Sequence, residues 1–240
     1  MKNKYVLITG GSQGIGAGIT ERLQAEGYLP IILDKVEPRR GVKAEFHKID
    51  LSDNQATTRL LGEISSSYPV TRLVNNVGIV RPALLENTSL EDFEQVMLLN
   101  AQTAFICVKA LMPVMRKSKF GRIVSITSRT ILGKEKRTAY SASKGAISAM
   151  TRTWAIEAAA DGITVNAVAP GPIETEAFKK DNPLSDPLTA AIIDGVPVKR
   201  LGTPSDVARA VSFFLDEQSG FITGQTLFVC GGLTVGSSID

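Results

Sequence analysis

The chain has 240 residues, 43% of them hydrophobic and 21% charged, which suits one large globular domain and excludes intrinsic disorder. Its 27 Lys and Arg exceed its 24 Asp and Glu by only three, so we expect no nucleic-acid partner. The two cysteines, Cys107 and Cys230, are too few for a disulfide framework, which favours a cytoplasmic location. No stretch of about 18 consecutive apolar residues occurs, so we expect no membrane-spanning helix and no membrane partner.

Short apolar runs rich in β-branched residues predict seven strands. In chain order they are Tyr5–Thr9, Pro30–Leu33, Glu45–Ile49, Arg72–Asn75, Arg122–Ile126, Thr164–Ala169 and Thr226–Val229. Apolar residues run through most of them without polar alternation, which suits a parallel sheet covered on both faces.

Segments with a helical period lie between the predicted strands. Ile15, Ile19 and Leu23 are spaced by four residues, Val96–Val114 is strongly apolar, and Tyr140–Ala160 is rich in Ala and Ser. This alternation predicts an α/β fold of the doubly wound (Rossmann) type. We expect a single domain over residues 1–240, with one parallel seven-stranded sheet flanked by helices on both faces.

Three segments between the predicted strands have distinctive sequences. Thr203–Asp206 has the composition of a helix start, with Thr203 as N-cap. Only ten residues separate Asp34 from Glu45, so a helix there would be short or absent. The long, proline-containing segment 176–199 predicts a loop that acts as a substrate lid. Its apolar residues suit an apolar part of the substrate: Ala177, Phe178, Leu184, Leu188, Ile192 and Ile193.

A glycine-rich run follows the first predicted strand and opens the first predicted helix. Glycines let the backbone approach a pyrophosphate closely, and a helix N-terminus offers free N–H groups and the positive end of the helix dipole. The run therefore predicts a dinucleotide-binding loop, the alternative being a tight strand–helix turn. Its candidate cofactor-binding residues are Gly10, Ser12, Gln13, Gly14, Ile15 and Gly16.

The residue at the end of the second predicted strand bears on the choice of cofactor. Asp34 lies 24 residues after Gly10, where a carboxylate can bind the adenosine ribose hydroxyls and repel a ribose 2′-phosphate. Gln13 agrees, because no cation stands within the glycine loop, and we therefore predict NAD rather than NADP. Lys35 is contrary evidence, and a strand-end cap or a solvated charge is the alternative role for Asp34.

A tyrosine and a lysine are spaced to share one face of a helix. Tyr140 and Lys144 lie four residues apart in a predicted helix, one turn from each other. A free tyrosine has a pKa of about 10 and is a poor acid–base group at neutral pH. A cation one turn away favours the phenolate, which makes the pair a candidate acid–base site. The alternative is an ordinary pair on a helix surface.

These motifs occur in the order and spacing of one known family. Over essentially its whole length the chain resembles the short-chain dehydrogenase/reductases. The loop matches T-G-x-x-x-G-x-G, Asn75–Gly78 stands where the family has N-N-A-G, and Pro170–Thr175 is similar to P-G-x-x-x-T. Asn100 in the middle helix and Ser128, 12 residues before Tyr140, complete the resemblance.

The resemblance implies catalytic roles for four residues. Tyr140 would be the acid in ketone reduction and the base in alcohol oxidation, and Ser128 would orient the carbonyl oxygen. Lys144 would bind the nicotinamide ribose and lower the pKa of Tyr140, and Asn100 would hold a water of the proton relay. Thr127 is a rival to Ser128, and a buried core amide is the alternative for Asn100.

Cofactor contacts follow from the same resemblance. Asp50 and Leu51 would meet the adenine, and Asn76 to Gly78 would line the adenosine ribose. Ile173 and Thr175 would meet the nicotinamide carboxamide. The full set implied beyond the glycine loop and Asp34 is Asp50, Leu51, Asn76, Val77, Gly78, Tyr140, Lys144, Pro170, Gly171, Ile173 and Thr175. No metal is implied. Cys230 replaces a frequent Asp, and we expect a small buried residue there rather than a reactive thiol.

The implied function is an NAD(H)-dependent oxidoreductase that interconverts a small secondary alcohol and a ketone, as a homotetramer. Alternatives are a 3-oxoacyl thioester (ACP or CoA) reductase, a dihydrodiol-type dehydrogenase, and a dehydratase or epimerase on the same scaffold. Asp161 argues against the first, because carrier-protein reductases tend to have a base there. A non-catalytic NAD(H)-sensing module is disfavoured because Ser128, Tyr140 and Lys144 are all present.

A basic cluster lies between Ser128 and Tyr140 in the sequence. It consists of Arg129 and of Lys134, Lys136 and Arg137 around one glutamate. Charge runs are usually solvated, so we expect a solvated rim, with attraction of an acidic substrate as the alternative.

Overall fold

Seven parallel strands form one sheet in the computed structural model, which describes residues 4–183 and 185–236. The strands are β1 (Tyr5–Thr9), β2 (Leu29–Asp34), β3 (Glu45–Lys48), β4 (Arg72–Asn75), β5 (Gly121–Ile126), β6 (Ile163–Pro170) and β7 (Thr226–Val229). Their spatial order is β3-β2-β1-β4-β5-β6-β7. The direction of winding reverses between β1 and β4, which confirms the doubly wound fold and places the ligand crevice there.

Helices cover both faces of the sheet. They are α1 (Gly14–Ala25), α2 (Asn54–Ser67), α3 (Leu90–Met97), α4 (Thr103–Ser118), α5 (Thr138–Ala158), α6 (Glu176–Asp181), α7 (Pro187–Asp194) and α8 (Pro204–Leu215). Successive strand residues point to opposite faces. Leu7 therefore packs with α2, α4 and α5, while Val6 and Ile8 pack with α1 and α8. This double burial explains why most of the strands lack the alternation of apolar and polar residues.

The predicted helix Val96–Val114 is part of a longer irregular helix. α3 and α4 are joined by a π-helical segment, Leu98–Gln102, and α4 ends where Lys119 adopts a left-handed conformation with φ of 47°. By length and composition alone the stretch Leu90–Ser118 could cross a membrane, with a mean hydropathy of 1.4. Half of the apolar 18-residue window within this stretch is buried inside the fold.

The predicted lid segment 176–199 is helical over much of its length, so the expectation of a loop is wrong there. Thr175 accepts a hydrogen bond from the Phe178 N–H and caps α6, and Asp186 caps α7 with Pro187 in its first turn. Proline at a first helical position starts a helix rather than preventing one. Leu184, one of the apolar residues assigned to the lid, lies outside the described residues. The short link between β2 and β3 contains no helix in the described chain, as predicted.

The predicted start of α8 is confirmed as a capping box. Thr203 Oγ1 accepts a hydrogen bond from the Asp206 N–H (3.2 Å), and the Asp206 carboxylate accepts one from the Thr203 N–H (2.8 Å). Arg200 also contacts this carboxylate at 2.8 Å, and these bonds lower the pKa of Asp206 to about 2. The box satisfies donors that the first helical turn leaves without partners.

Replacing Thr203 with Ala should lower the free energy of unfolding by about 1 kcal/mol, because the cap is lost. Urea denaturation monitored by circular dichroism measures the change. Ser205→Ala is the matched control, since Ser205 is exposed in the same first turn and is not the N-cap. Equal effects of the two substitutions would contradict the capping role.

Candidate active site

The glycine loop closes around the end of β1 with almost no spare room. A Cβ added to Gly16 would lie 1.9 Å from the Gly10 carbonyl oxygen, so α1 and the loop touch through their main chains. Gly10 and Gly14 have φ of 65° and 52°, the left-handed region that favours glycine. Gln13, the N-cap of α1, makes no side-chain capping bond. The first N–H groups of α1 can therefore bind an anion.

A cavity of about 480 Å³ lies over this loop. Most of the predicted cofactor residues line it together: Gly10, Ser12, Gln13, Gly14, Ile15, Gly16, Asp34, Asn76, Val77, Gly78 and Thr175. The structure thus assembles residues from the ends of β1, β2, β4 and β6 in one crevice.

Asn76 ties the end of β4 to the glycine loop. Its Nδ2 donates hydrogen bonds to the carbonyl oxygens of Gly10 (2.8 Å) and Thr9 (3.1 Å). The Thr9 hydroxyl in turn accepts bonds from the N–H groups of Asn76 (3.0 Å) and Val77 (3.2 Å). Asn76 therefore shapes the crevice as well as lining it, and Thr9 is a contributor that the sequence analysis did not single out.

The charged residues near Asp34, where the adenosine would bind, differ in whether they line the cavity. Asp34 lines the cavity, and its Oδ2 accepts a hydrogen bond from the Ser12 N–H at 3.1 Å. Lys35, the contrary evidence, instead pairs with Asp50 at 2.8 Å and lowers the pKa of that carboxyl to about 2. Arg39 lines the cavity beside Asp34 and was missed, although the short link after β2 keeps it near that strand.

The predicted adenine contacts lie differently from the rest of the set. Neither Asp50 nor Leu51 is among the described residues that line the cavity. Leu51 is buried in the core under α2 and α4, and its carbonyl oxygen accepts a bond from the Thr103 hydroxyl (3.1 Å). Any contact of these two residues with a cofactor would thus be made at the edge of the cleft, and it stays a prediction.

A second cavity, of about 410 Å³, is lined by two of the four catalytic candidates. Ser128 and Tyr140 both line it. Burial raises the pKa of Tyr140, and the nearby Ser128 side chain and the charge of Arg137 oppose that rise. The Thr127 hydroxyl donates instead to the Val168 carbonyl oxygen at 3.1 Å. Both residues line the cavity, but the Ser128 side chain, rather than that of its rival Thr127, acts on the pKa of Tyr140.

Lys144 reaches from α5 to the ends of two strands. Its buried ammonium donates to the Ile126 carbonyl oxygen at 2.8 Å and lies 5.7 Å from the centre of the Tyr140 ring. A Cβ added to Gly78 would lie 3.3 Å from the Nζ atom, so the lysine occupies the space above that glycine. Burial lowers the pKa of Lys144 to about 8, which places its charge change close to neutral pH.

Asn100 lies in the π-helical segment and holds the chain after β4. Its Oδ1 accepts from the Ile79 N–H (2.8 Å), while its Nδ2 donates to the Ile79 carbonyl oxygen and the Ser143 hydroxyl (both 3.0 Å). Ser143 donates to the Tyr140 carbonyl oxygen at 2.8 Å. The side chain is thus a satisfied buried amide that connects to the catalytic helix, and a water-relay role for Asn100 stays a prediction.

The far side of the catalytic cavity is formed by the chain that follows β6. Pro170, Gly171, Ile173 and Thr175 all line it, and Thr175 lines the glycine-loop cavity as well. The two cavities therefore share a wall. Behind Gly171, an added Cβ would lie 2.8 Å from the Cys230 Cα. Cys230 is a buried residue packed at this turn, as expected.

The donor set of the crevice fits a nicotinamide dinucleotide. Main-chain N–H groups of the glycine loop would hold the pyrophosphate, Asp34 the adenosine ribose, and Lys144 the second ribose. The bound cofactor supplies or accepts the hydride. Tyr140 can then give a proton to a carbonyl oxygen held by Ser128, or take one from an alcohol.

Comparisons with known proteins place the chain among oxidoreductases of the same fold. A family model described as enoyl-(acyl carrier protein) reductase matches residues 10–234. The 3-oxoacyl-[acyl-carrier-protein] reductase FabG of Haemophilus influenzae is 35% identical over 97% of this chain and 99% of its own length. Two solved structures superpose with a TM-score of 0.92. ElxO with NADP bound is 31% identical over 98% of this chain and 100% of that chain. The ligand-free aldohexose dehydrogenase of Thermoplasma acidophilum is 30% identical over 99% of this chain and 96% of that chain.

Fold, site and relatives define the class of protein, an oxidoreductase that interconverts alcohol and keto groups with a nicotinamide dinucleotide. The chain belongs to the short-chain dehydrogenase/reductase family.

Tyr140→Phe should lower kcat for hydride transfer by about 10²–10⁴-fold, because the proton donor and acceptor is lost. Binding of NADH, measured by fluorescence titration, should stay within a few-fold of wild type. Tyr68→Phe is the matched control, because Tyr68 packs edge-on against Tyr5, away from the cavity residues. Equal losses of cofactor binding and turnover in Tyr140→Phe would contradict the assigned role.

Proposed function

We propose that this protein is an NAD(H)-dependent dehydrogenase/reductase that acts on a small, free secondary alcohol or ketone. The observation that carries the proposal is the shared wall of the two cavities at Thr175. It sets a dinucleotide cleft containing Asp34 directly beside the cavity of Ser128 and Tyr140. A hydride can then pass from the end of one cavity to the carbon held in the other.

The preference for NAD rests on charge at the adenosine end. Asp34 is the acid at the end of β2, and a 2′-phosphate there would meet its negative charge. Lys35 is engaged by Asp50 and is not among the cavity-lining residues, so it does not offset that repulsion. Arg39 lines the cavity and could offset the repulsion between Asp34 and a 2′-phosphate. Glu37 lines the same cavity, however, and adds a second negative charge. The ElxO structure contains NADP, so the balance within each chain decides the cofactor.

Asp34→Ala should raise the NADPH-to-NADH ratio of kcat/KM by about tenfold or more, since removal of about 1.4 kcal/mol of repulsion suffices for that change. Arg39→Gln placed on Asp34→Ala should then reverse most of the gain. Lys35→Gln is the matched control and should leave the ratio nearly unchanged. Steady-state kinetics with both cofactors give the ratio, and an Asp34→Ala enzyme with unaltered preference would rule out the ribose contact.

A free substrate is favoured over one attached to a carrier protein. The catalytic cavity is about 410 Å³ and is bordered by Phe178 of α6 and Ile192 of α7, dimensions that suit a small molecule. Asp161, at the position where a base was expected for carrier docking, pairs with Arg116 (3.2 Å) and Lys119. These pairs neutralise cations that an acidic carrier would need. The 35% identity to a 3-oxoacyl-[acyl-carrier-protein] reductase supports the carrier-bound alternative.

A substrate panel separates these two functions. Purified enzyme with NADH should reduce small ketones, or oxidise the matching alcohols with NAD, with kcat/KM at least tenfold above that for a 3-oxoacyl thioester of comparable chain length. Absorbance of the reduced nicotinamide measures both directions. Higher kcat/KM for the thioester would establish the alternative, and oxidation of cyclic dihydrodiols in preference to both would establish a dihydrodiol dehydrogenase.

We also propose a cytoplasmic homotetramer. Two free cysteines support a reducing compartment. Apolar side chains left exposed on α4 and α5 support association, among them Phe105 at 45% and Ile156 at 82% exposure. Leu227 on β7, at the edge of the sheet, is 42% exposed and offers a second surface.

A further inference from the structure

Three cations line the catalytic cavity together with Ser128 and Tyr140. They are Arg129, Lys134 and Arg137, and they come from the short 3-10 helix after β5 and from the turn before α5. The basic cluster expected to form a solvated rim thus contributes three of its four members to the cavity wall. Lys134 and Lys136 are both exposed, and Lys136, the fourth, is not among the described residues that line the cavity.

None of the three has an acidic partner among the ion pairs of the described residues. Among the hydrogen bonds of the described residues, the Arg137 guanidinium donates to the neighbouring Lys136 carbonyl oxygen, at 2.9 Å. Some other basic side chains have acidic partners, as Arg200 has in Asp206 and Lys35 has in Asp50. Burial and the charges of Arg129 and Arg137 lower the pKa of Lys134, so the three cations repel one another.

Carboxylates near the cavity do not balance this charge. Asp181, at the end of α6, is the acidic residue that lines the cavity from the opposite wall. Glu135 lies 4.0 Å from Lys136, outside the lining. Three positive charges thus face a single negative one around the reacting groups, and an anion bound among them would relieve the repulsion.

The backbone that carries these cations has a defined shape. Gly133 has φ of 103° and Lys136 has φ of 60°, a left-handed conformation that costs a non-glycine residue about 1–2 kcal/mol. A β-bridge between Ala83 and Arg137 fixes the turn against the segment after β4. Strained residues that are held in place concentrate at ligand-binding sites.

We infer that the substrate carries an anionic group, a carboxylate or a phosphate ester, which Arg129, Lys134 and Arg137 bind while Ser128 and Tyr140 hold its carbonyl or hydroxyl group. The remaining walls include Val80, Pro82 and Phe178, which suit the carbon skeleton between the two polar ends. The inference rests on the proposed reduction of a small free ketone and names the class of that ketone.

The test compares charged ketones with neutral partners of the same shape. Straight-chain keto acids with the ketone at successive positions are assayed with NADH and NADPH beside their primary amides, and hydroxyketone phosphates beside the free hydroxyketones. The wild type should prefer at least one anionic member by about 10–100-fold in kcat/KM, the range of one charged hydrogen bond. Added salt should weaken the preference. The better arm, acid or phosphate, identifies the anionic group.

Variants show whether the three cations cause the preference. The double substitution Arg129→Gln with Lys134→Gln should abolish most of the anion-to-neutral ratio, because it removes two of the three charges. Lys136→Gln is the matched control: it has the same loss of charge in the same turn, and its ratio should stay within about twofold of wild type. Calorimetry of the best anion on the protein–NADH complex repeats the comparison without turnover.

The outcomes separate the inference from the proposed function. Reduction of neutral ketones with equal kcat/KM for anions, or an unchanged ratio in the double variant, overturns the inference and leaves the proposed function standing. Failure to reduce any free ketone overturns the proposed function. Calorimetry then decides the inference. If the anions bind no more tightly than their neutral partners, the inference is overturned as well.

Discussion

The hydrogen bonds between the ends of β1 and β4 are the constraint on which the site depends. The winding of the sheet reverses between these two strands, so the chains leaving them diverge and a crevice opens. Thr9 and Asn76 bind each other's main chains across this gap and set its width. With the gap fixed, Gly10 and Gly16 can touch through main-chain atoms, and the first residues of α1 line the crevice.

Burial at the catalytic end acts on two groups in opposite directions. It raises the pKa of Tyr140 and lowers the pKa of Lys144, because in each case the charged form loses water. The unliganded site therefore favours a neutral phenol. Alcohol oxidation requires Tyr140 as the phenolate, and positive charge near the ring must stabilise that form against the effect of burial. Arg137 contributes to it from the basic turn, so the proposed anion-binding wall and the acid–base group are electrostatically coupled.

Most of the fold was predictable because its signals are local. Apolar runs such as Arg72–Asn75 and the N-cap at Thr203 depend on a few neighbouring residues, and the structure has them as predicted. The helices of segment 176–199, the predicted lid, were missed because proline was interpreted as a breaker, whereas Pro187 begins α7. The π-helical segment around Asn100 has no local period to reveal it. Contacts between residues distant in sequence could not be predicted either. No spacing in the sequence indicates that Lys35 binds Asp50, or that Arg39 lies in the cleft.

The bond from the Ser12 N–H to the Asp34 carboxylate has a consequence for the kinetics of cofactor exchange. It orders the glycine loop before any ligand arrives, so the entropy of ordering the loop is lost during folding rather than during association. Dinucleotides then meet a preformed surface, and encounter rates vary little between them. Discrimination between two cofactors that differ by one phosphate falls mainly on how long each stays bound.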